Sequence, residues 1–510
     1  MLMSLPFWLT ILFFLVIFVI AFWGMRRTSN VNDFFLGGTT LGPWLLAISY
    51  GTAYFSAVAF IGFAGTLGWK YGFGGLWVAL GNTIIGGALA WLVLGKQTRR
   101  MSRNLNVMTM PEFFAKRYDS RTMKAVSAVI IFVFMIPYSA SVYQGLTYLF
   151  ESTFKIDFTL ALLIITIVTG IYIVVGGYKA VARIDFVQGM IMFFGAILMV
   201  AFLVHHFGGV SNVIEKVNHL YQQRTDMVTS DPENPLAILP ARQFIFPAWL
   251  ILPALVFMTS FGVWGMPQMV HKYYAISDER QIFRGAVVTT VFALVVVGAA
   301  YWIGAMCHLL ESVPLGENNK VVFDRLVPDF LTAYLPQYLM AVVLLLVLSA
   351  SMSTLTSLVL VSASAVTIDL YQGYINPKAT EKQKLILIRI LSGFFIIASF
   401  LVAVYKISWI VTLMSVSWGA IAGSFMAPFM YGLFWKRTTK VGAYTGMFTG
   451  LILSNGLFFT WYFVYGSTAA SIYSPVFASI AMIVPFITIP IVSLLSKPPQ
   501  KQVVEQAFGE

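Results

Sequence analysis

The sequence is a succession of long apolar runs separated by short polar loops. A bilayer core about 30 Å thick needs roughly 20 apolar residues per helix. Thirteen runs reach this length, near residues 5–25, 42–66, 72–95, 125–150, 157–177, 184–206, 245–270, 284–309, 335–368, 385–405, 407–434, 441–465 and 472–496. They are continuously apolar, whereas the strands of a membrane barrel alternate between apolar and polar residues. The pattern predicts an all-α polytopic membrane protein with about thirteen transmembrane helices.

The composition agrees with a chain that lies mostly in lipid. Of the 510 residues, 59% are hydrophobic and only 10% are charged, whereas a soluble domain carries about 25% charged residues. The mean hydropathy is +0.83. The apolar N-terminal run lacks the basic leader and the small-residue cleavage site of a signal peptide, so we interpret it as a retained span. The lipid bilayer is thus the main environment of this chain.

The net charge of +12 follows the loops. With the N-terminus outside, 24 of the 32 basic residues fall in inner loops and the remaining 8 in outer loops. Basic loops stay on the cytoplasmic side, so we predict a multi-pass protein of the cell membrane with an external N-terminus and a cytoplasmic C-terminus. The basic charge requires no nucleic-acid partner. The longest polar stretches, 208–242 and 311–329, are external on this topology and long enough for short surface helices.

Two of the apolar runs are interrupted at corresponding places. The second contains a small, hydroxyl-rich stretch over 49–56, and the seventh contains two glycines and a proline over 259–267. Four spans separate them, which is the spacing of two five-helix units of inverted topology that each open with a broken helix. The alternative is that glycine and proline merely bend these helices. The repeat interpretation divides the single transmembrane domain into an extra N-terminal helix (1–37), two repeats (38–206 and 243–436), and two C-terminal helices with a short tail (437–510).

The ninth run carries a cluster of side-chain oxygens. Ser353, Thr356 and Ser357 stand at positions i, i+3 and i+4 of a helix and share one face, and Ala350 offers a backbone carbonyl. Hydroxyl and carbonyl oxygens are hard, neutral ligands that suit Na⁺ better than a transition metal. Small hydroxyl residues also let membrane helices pack closely. Spacing alone leaves both interpretations open.

Asp185 lies within the sixth run, where a carboxylate is costly and by default indicates function. The alternative is a salt bridge to Arg183 or Lys179 at the membrane interface.

No soluble-enzyme chemistry is indicated. The five histidines have no HExxH spacing, the chain has a single cysteine, and no nucleotide-binding loop is present. We therefore predict that the protein is not an enzyme, needs no organic cofactor, binds no transition metal and takes its energy from an ion gradient.

Three stretches resemble the sodium:solute symporter family, which includes sodium/proline, sodium/pantothenate and sodium/glucose carriers. They are 176–188 (GGYKAVARIDFVQ), Met352-Ser353-Thr354 followed by Asp369-Leu370-Tyr371, and 432–446 (GLFWKR, then Gly442, Ala443 and Gly446). The resemblance covers about residues 8–497. It implies an inverted-repeat core of the leucine-transporter type with one extra N-terminal helix, and Na⁺ as the coupling ion.

The resemblance also implies ion ligands. The family's usual sodium site corresponds to the carbonyls of Thr52, Phe55 and Ala350 and the hydroxyls of Ser353 and Thr354. A second sodium site, found in some members, corresponds to Asp185, Ser353, Thr356 and Ser357.

The solute is less well specified. Sodium/proline symporters have an aspartate and a tryptophan where this chain has Tyr54 and Thr259, which makes a proline carrier doubtful, and stretches 52–57 and 261–267 are similar to pantothenate- and monocarboxylate-type members. A carboxylate suits the freed N–H groups at helix N-termini. The predicted solute pocket consists of Tyr54, Ser56, Tyr138, Ser141, Gln144, Thr259 and Trp264, although each of these residues can equally serve interhelical packing.

The sequence thus predicts a sodium-coupled symporter that imports a small organic solute, most readily a carboxylate, by alternating access. Its partners are the solute, the sodium ion and the bilayer, with no obligate protein partner. Two alternatives remain: a proton-coupled symporter on the same fold with Asp185 as the proton site, and a solute sensor that does not transport.

Overall fold

The computed structural model describes residues 4–25, 42–175, 178–230, 246–276, 278–316 and 320–509. Within these ranges the chain is helical, apart from short connections and an isolated β-bridge between Leu315 and Val321. The all-helical architecture expected from the apolar runs is confirmed for this part of the chain.

The helices of the first half surround one early break. They are α1 (Leu5–Met25), α2 (Pro43–Tyr54), α3 (Ala64–Tyr71), α4 (Leu76–Gly81), α5 (Ala90–Asn104), α6 (Met110–Arg117), α7 (Arg121–Phe154), α8 (Phe158–Val175), α9 (Tyr178–His206) and α10 (Val210–Ser230). Two π-helical turns, Val58–Phe63 and Asn82–Leu89, and one 3₁₀ turn, Gly72–Gly75, join the pieces between α2 and α5.

The second half repeats the arrangement of a broken helix followed by long ones. Its helices are α11 (Ile251–Phe261), α12 (Pro267–Tyr274), α13 (Gln281–Met306), α14 (Phe323–Tyr334), α15 (Gln337–Ser364), α16 (Glu381–Val404), α17 (Ile410–Phe434), α18 (Lys440–Tyr465), α19 (Ser467–Leu495) and α20 (Lys501–Phe508). A 3₁₀ turn, Gly262–Gly265, separates α11 from α12, and a π-helical turn, Ala365–Ile375, extends α15.

Nine helices of the described ranges are long and apolar enough to cross a membrane, and the bent pair formed by α11 and α12 makes a tenth. Two shorter apolar helices, Leu5–Ile20 and Phe158–Val174, lie below the length limit. Of the two polar stretches predicted to hold surface helices, one contains α10 and the other runs into α14.

Both predicted breaks are present. The α2 helix ends at Tyr54, and Phe55 and Ser56 leave the helical conformation. In the second half, α12 bends away from the preceding helix by 46°. Pro267 stands at the first turn of α12, where its missing N–H costs nothing and its ring fixes the helical φ.

Small residues set the closest helix crossings. A Cβ atom added at Gly304 of α13 would lie 2.1 Å from the carbonyl oxygen of Ala64 in α3, and one at Gly450 of α18 would lie 2.0 Å from that of Gly423 in α17. Close approach of backbones at small residues is how helices pack where lipid offers no hydrophobic driving force. The first of these crossings places the segment that follows the first break against α13.

Candidate functional site

The first helix break exposes backbone oxygens inside the bundle. Phe55 follows α2 in an extended conformation with φ −108° and ψ 113°, so the carbonyls of Thr52 and Ala53 have no amide one turn ahead to bond. They also carry the negative end of the helix dipole. Both residues are fully buried. Such carbonyls attract either a cation or a hydroxyl donor.

Two hydroxyl groups of α15 meet these carbonyls. The Ser353 hydroxyl donates to the Thr52 carbonyl at 2.9 Å and lies 3.1 Å from that of Ala350. The Thr354 hydroxyl lies 3.0 Å from the Ala350 carbonyl, 3.2 Å from that of Ala53 and 3.3 Å from that of Thr52. The fold therefore brings Thr52, Ala350, Ser353 and Thr354 together, and adds the Ala53 carbonyl to the predicted set.

Phe55, the remaining residue of the predicted sodium site, lies one position beyond the end of α2. Among the described residues, no hydrogen bond joins its carbonyl to Ser353 or Thr354. Its ring stacks on that of Tyr54 with 4.3 Å between centroids.

Among the described residues, Asp185 contacts groups that the sequence analysis did not point to. Its side chain is fully buried, and its Oδ2 accepts a hydrogen bond from Ser49 and lies 3.7 Å from Nζ of Lys272. The basic residues proposed as its salt-bridge partners, Arg183 and Lys179, have side chains that fall outside the described part of the chain. Within the described part of the chain, the salt bridge of Asp185 joins α9 to α12.

Thr356 and Ser357, the other predicted ligands of the second sodium site, both lie on α15. The Thr356 hydroxyl donates to the carbonyl of Met352 in its own helix at 2.7 Å. The Ser357 hydroxyl is buried and has no hydrogen-bond partner among the described residues. No hydrogen bond within the described ranges connects Asp185 to either of them.

The predicted solute residues divide into two groups. The first centres on Tyr54, whose hydroxyl lies 2.5 Å from the carbonyl of Thr259 and 3.2 Å from Oδ1 of Asn82. The Tyr54 ring lies parallel to that of Trp418, with 6.4 Å between centroids and an interplanar angle of 18°. Tyr138 meets Trp418 edge-on at 5.9 Å. Tyr54, Thr259 and Tyr138 thus belong to one buried aromatic and polar cluster.

The side chains of the second group do not contact the Tyr54 ring or hydroxyl through hydrogen bonds among the described residues. Ser141 donates to the backbone carbonyl of Tyr138, Gln144 donates to the Ala403 carbonyl at 3.3 Å, and Ser56 accepts from the amide of Val58.

Trp264 contacts the π-helical turn that also carries Asn82 of the Tyr54 cluster. Its Nε1 donates to the carbonyl of Ile85 in the π-helical turn Asn82–Leu89 at 3.1 Å. The π-helical turn also presents the carbonyl of Gly86 to the Tyr50 hydroxyl at 2.8 Å. Such turns are rare in helices and occur often at functional sites.

Three members of the Tyr54 cluster were missed from the sequence. Asn82 accepts from both Tyr54 and Ser260 at 3.2 Å, and Trp418 covers the ring of Tyr54. The sequence offered only weak signals for them: Asn82 is an amide in a largely apolar span, and Trp418 follows two serines of α17, Ser415 and Ser417. Only the packing of α17 against the first break reveals that Trp418 belongs there.

Comparisons with known proteins agree with this architecture. The sodium:solute symporter family matches residues 34–450. The osmoregulated proline transporter OpuE of Bacillus subtilis is 29% identical over 86% of this chain and 86% of its own. Two proteins of Haemophilus influenzae are each 27% identical: a sodium/proline symporter, over 95% of this chain and 94% of its own, and a sodium/pantothenate symporter, over 84% of each. These relatives are transporters and not enzymes.

A solved structure shares the fold. A Na⁺-coupled sialic acid symporter in a substrate-bound, outward-open state superposes with a TM-score of 0.74 and 18% identity, over 98% of this chain and 99% of its own. The family model covers most of the chain, and the helical fold with its two broken helices agrees with that match. The chain belongs to the sodium:solute symporter family.

Proposed function

We propose that this protein imports a small organic carboxylate together with Na⁺, which binds between the end of α2 and the middle of α15. One observation supports the sodium site above all. The hydroxyls of Ser353 and Thr354 lie 2.9–3.3 Å from the carbonyls of Thr52 and Ala53 at the helix break, in a fully buried position. Neutral oxygens around the negative end of a helix dipole suit a hard monovalent cation.

Sodium binding would couple the two repeats. The ligands of α2 belong to the proposed first repeat (38–206) and those of α15 to the proposed second (243–436). An ion shared between them stabilises the arrangement in which the break of α2 is held against α15. A solute that completes its own pocket beside the break then favours the same arrangement, which is the thermodynamic basis of coupling.

The solute pocket we propose is the Tyr54 cluster, extended by residues of the original prediction. Tyr54, Asn82 and Ser260 supply uncharged polar groups, and Trp418 and Tyr138 supply aromatic faces for an apolar part of the solute. The amides freed after Phe55 add donors suited to a carboxylate. The proposed pocket also includes Thr259, whose carbonyl accepts from the Tyr54 hydroxyl, together with Ser56, Ser141, Gln144 and Trp264.

We also propose thirteen spans. One of the ten that satisfy the length criterion is the 47-residue helix Val58–Asn104, which we divide at Gly72, so that its first part joins α2 in the broken span from Pro43 to Tyr71 and its second part forms the next span. With this division, α1 and α8 complete the thirteen. The positive-inside rule then places the N-terminus outside and the C-terminus in the cytoplasm.

The test is uptake by full-length protein in proteoliposomes, with solutes chosen by a prior thermal-shift screen of carboxylates, amino acids and sugars with and without NaCl. We expect Ser353→Ala and Thr354→Ala to raise the sodium concentration for half-maximal uptake by roughly tenfold, because a hydrogen-bonding or ligating group on a charge contributes about 1.5 kcal/mol or more.

The matched control is Ser351→Ala, whose hydroxyl is buried on the same helix but donates to the Val347 carbonyl of that helix at 2.7 Å. It should keep the wild-type sodium dependence. If Ser353→Ala and Thr354→Ala both kept the wild-type sodium dependence, these hydroxyls would not be sodium ligands. Uptake that persists in choline chloride and collapses with a protonophore would instead identify the proton-coupled carrier, and solute binding with no uptake would identify a sensor.

A further inference from the structure

A buried ion pair connects three helices next to the proposed sodium site. Lys272 of α12 donates from Nζ to the hydroxyl of Ser49 in α2 at 2.7 Å, and its Nζ lies 3.7 Å from Oδ2 of Asp185 in α9. The Ser49 hydroxyl donates to the same carboxylate oxygen. The side chains of Lys272 and Asp185 are 1% and 0% exposed, so bulk water does not screen either charge.

The backbone around the pair explains why these groups meet. Gly189 follows Asp185 by one turn of α9, and a Cβ atom added there would lie 2.2 Å from Ile48 and 3.1 Å from Thr52. The glycine therefore lets α9 approach α2 closely, and this approach brings the carboxylate to Ser49. Lys272 lies in the last turn of α12, where the helix dipole favours a cation.

The pair has a direct consequence for ion binding. A sodium ion held by a carboxylate in the membrane interior gains most of its stabilisation from that negative charge. Here the ammonium group of Lys272 already neutralises Asp185. A sodium ion added to the same carboxylate would place two cations around one anion in a medium of low dielectric constant, where like charges repel strongly.

We propose that Lys272 is a tethered cation that takes the place of a second sodium ion at Asp185, so that one sodium ion accompanies each solute molecule. This proposal rests on the sodium symport proposed above and specifies its stoichiometry. The same ammonium group also holds α12 against α2 and α9. Removing it exposes an unneutralised carboxylate that a second sodium ion would then satisfy.

The experiment is a sodium titration of the purified full-length protein, with NaCl replaced by choline chloride at constant ionic strength and the thermal unfolding midpoint as readout. At sodium concentrations well above the dissociation constant, each bound ion adds RT ln([Na⁺]/Kd) to the stability, so the slope of the midpoint against the logarithm of the sodium concentration reports the number of ions. We expect the slope of Lys272→Met to approach twice that of the wild type, and the double variant Asp185→Asn/Lys272→Met, which removes both charges together, to return to the wild-type slope.

A second measurement covers the case in which Lys272→Met alone does not fold. Binding of ²²Na⁺ is then compared between the wild type and the charge-neutral double variant, and we expect the same number of bound ions in both. More bound sodium in the wild type than in the double variant would overturn the proposal, because Asp185 would then hold an ion despite Lys272.

The failure of sodium symport itself gives a different result. In that case the wild type shows no stabilisation by NaCl over choline chloride, and Thr354→Ala changes nothing. A single sodium response that Thr354→Ala abolishes and the double variant retains supports both proposals together.

Discussion

Single residues around the first break decide which groups meet there. Glycine at position 86 leaves room for Tyr54, since an added Cβ would lie 2.2 Å from the tyrosine hydroxyl. Glycine at position 189 likewise lets α9 approach α2. The hydroxyls of Ser353 and Thr354 supply the donors that the carbonyls of the break lack. The geometry of the site thus depends on glycines that allow close contacts as well as on the hydroxyl groups that make hydrogen bonds.

Gly86→Ala should therefore displace Tyr54 from the solute cluster. The clash falls on the far end of one side chain, which can swing aside, so we expect a nearly unchanged thermal unfolding midpoint. We also expect about a tenfold or greater loss of apparent solute affinity, because solute binding must return Tyr54 to a place that the added methyl group overpacks, at a cost of about 1–3 kcal/mol. The measurement is the concentration of the stabilising solute that gives a half-maximal thermal shift.

Gly87→Ala is the control for this prediction. The nearest atom to its added Cβ lies at 3.6 Å, an ordinary contact distance. Equal solute affinity in the two variants would show that Tyr54 takes no part in solute binding.

At the scale of elements, the motifs that carry the family resemblance serve two purposes. Met352–Thr354 places hydroxyls at the break. By contrast, a Cβ atom added at Gly442 would lie 2.1 Å from Ser493, and one at Gly446 would lie 2.4 Å from Ile489, so this motif packs α18 on α19. Asp369 accepts a hydrogen bond from Thr109 at 3.0 Å and joins the end of α15 to the start of α6. A motif can thus identify a family through packing alone.

A second contact between elements predicts a pH dependence. Asp324 of α14 is buried, and its carboxylate accepts from the Ile410 amide at the start of α17 at 3.3 Å. Burial raises the pKa of Asp324 to about 7, against the opposing effect of that amide. The folded state therefore keeps a proton that the unfolded chain loses near its ordinary pKa of about 3.9. Its contribution to stability is full at low pH and is lost as the pH rises towards 7.

We accordingly expect the wild-type thermal unfolding midpoint to fall between about pH 4 and about pH 7, and to fall less in Asp324→Asn. Asp329→Asn is the control, because Asp329 lies on the same helix, is partly exposed and pairs with Arg325 at 3.6 Å. Midpoint curves that run parallel in the wild type and Asp324→Asn would contradict the assignment.

For the whole molecule, the orientation in the membrane follows from loop charge and is open to direct test. Cys307 is the only cysteine of the chain and is buried, so a Cys307→Ser background accepts single reporter cysteines. Ser211 in α10 and Gln502 in α20 are exposed. We place the first outside the cell and the second in the cytoplasm.

A membrane-impermeant maleimide should label Ser211→Cys in intact cells, and should label Gln502→Cys only after permeabilisation. The reverse pattern would invert the proposed topology. Labelling of both positions in intact cells would place them on the same side of the membrane, which requires an even number of crossings between them. The proposed thirteen-span arrangement has an odd number there and would be wrong.

The sequence alone was sufficient for the membrane class, the helical architecture, both helix breaks and the family. Each of these depends on local features: run length, the placement of glycine and proline, and short motifs. Helical spacing also pointed to Ser353, because hydroxyls on one face of an apolar span stand out, whereas Thr354 entered only through the resemblance to the family.

Only the tertiary structure decided which distant groups meet. In the part of the chain that the structure describes, Asp185 pairs with Lys272, 87 positions away in sequence, and no local pattern links the two. Trp418 and Asn82 join Tyr54 because α17 and the π-helical turn pack against the first break. Helix periodicity tells which face of a helix a residue occupies, but the choice of neighbouring helix depends on where small residues permit close approach across the bundle.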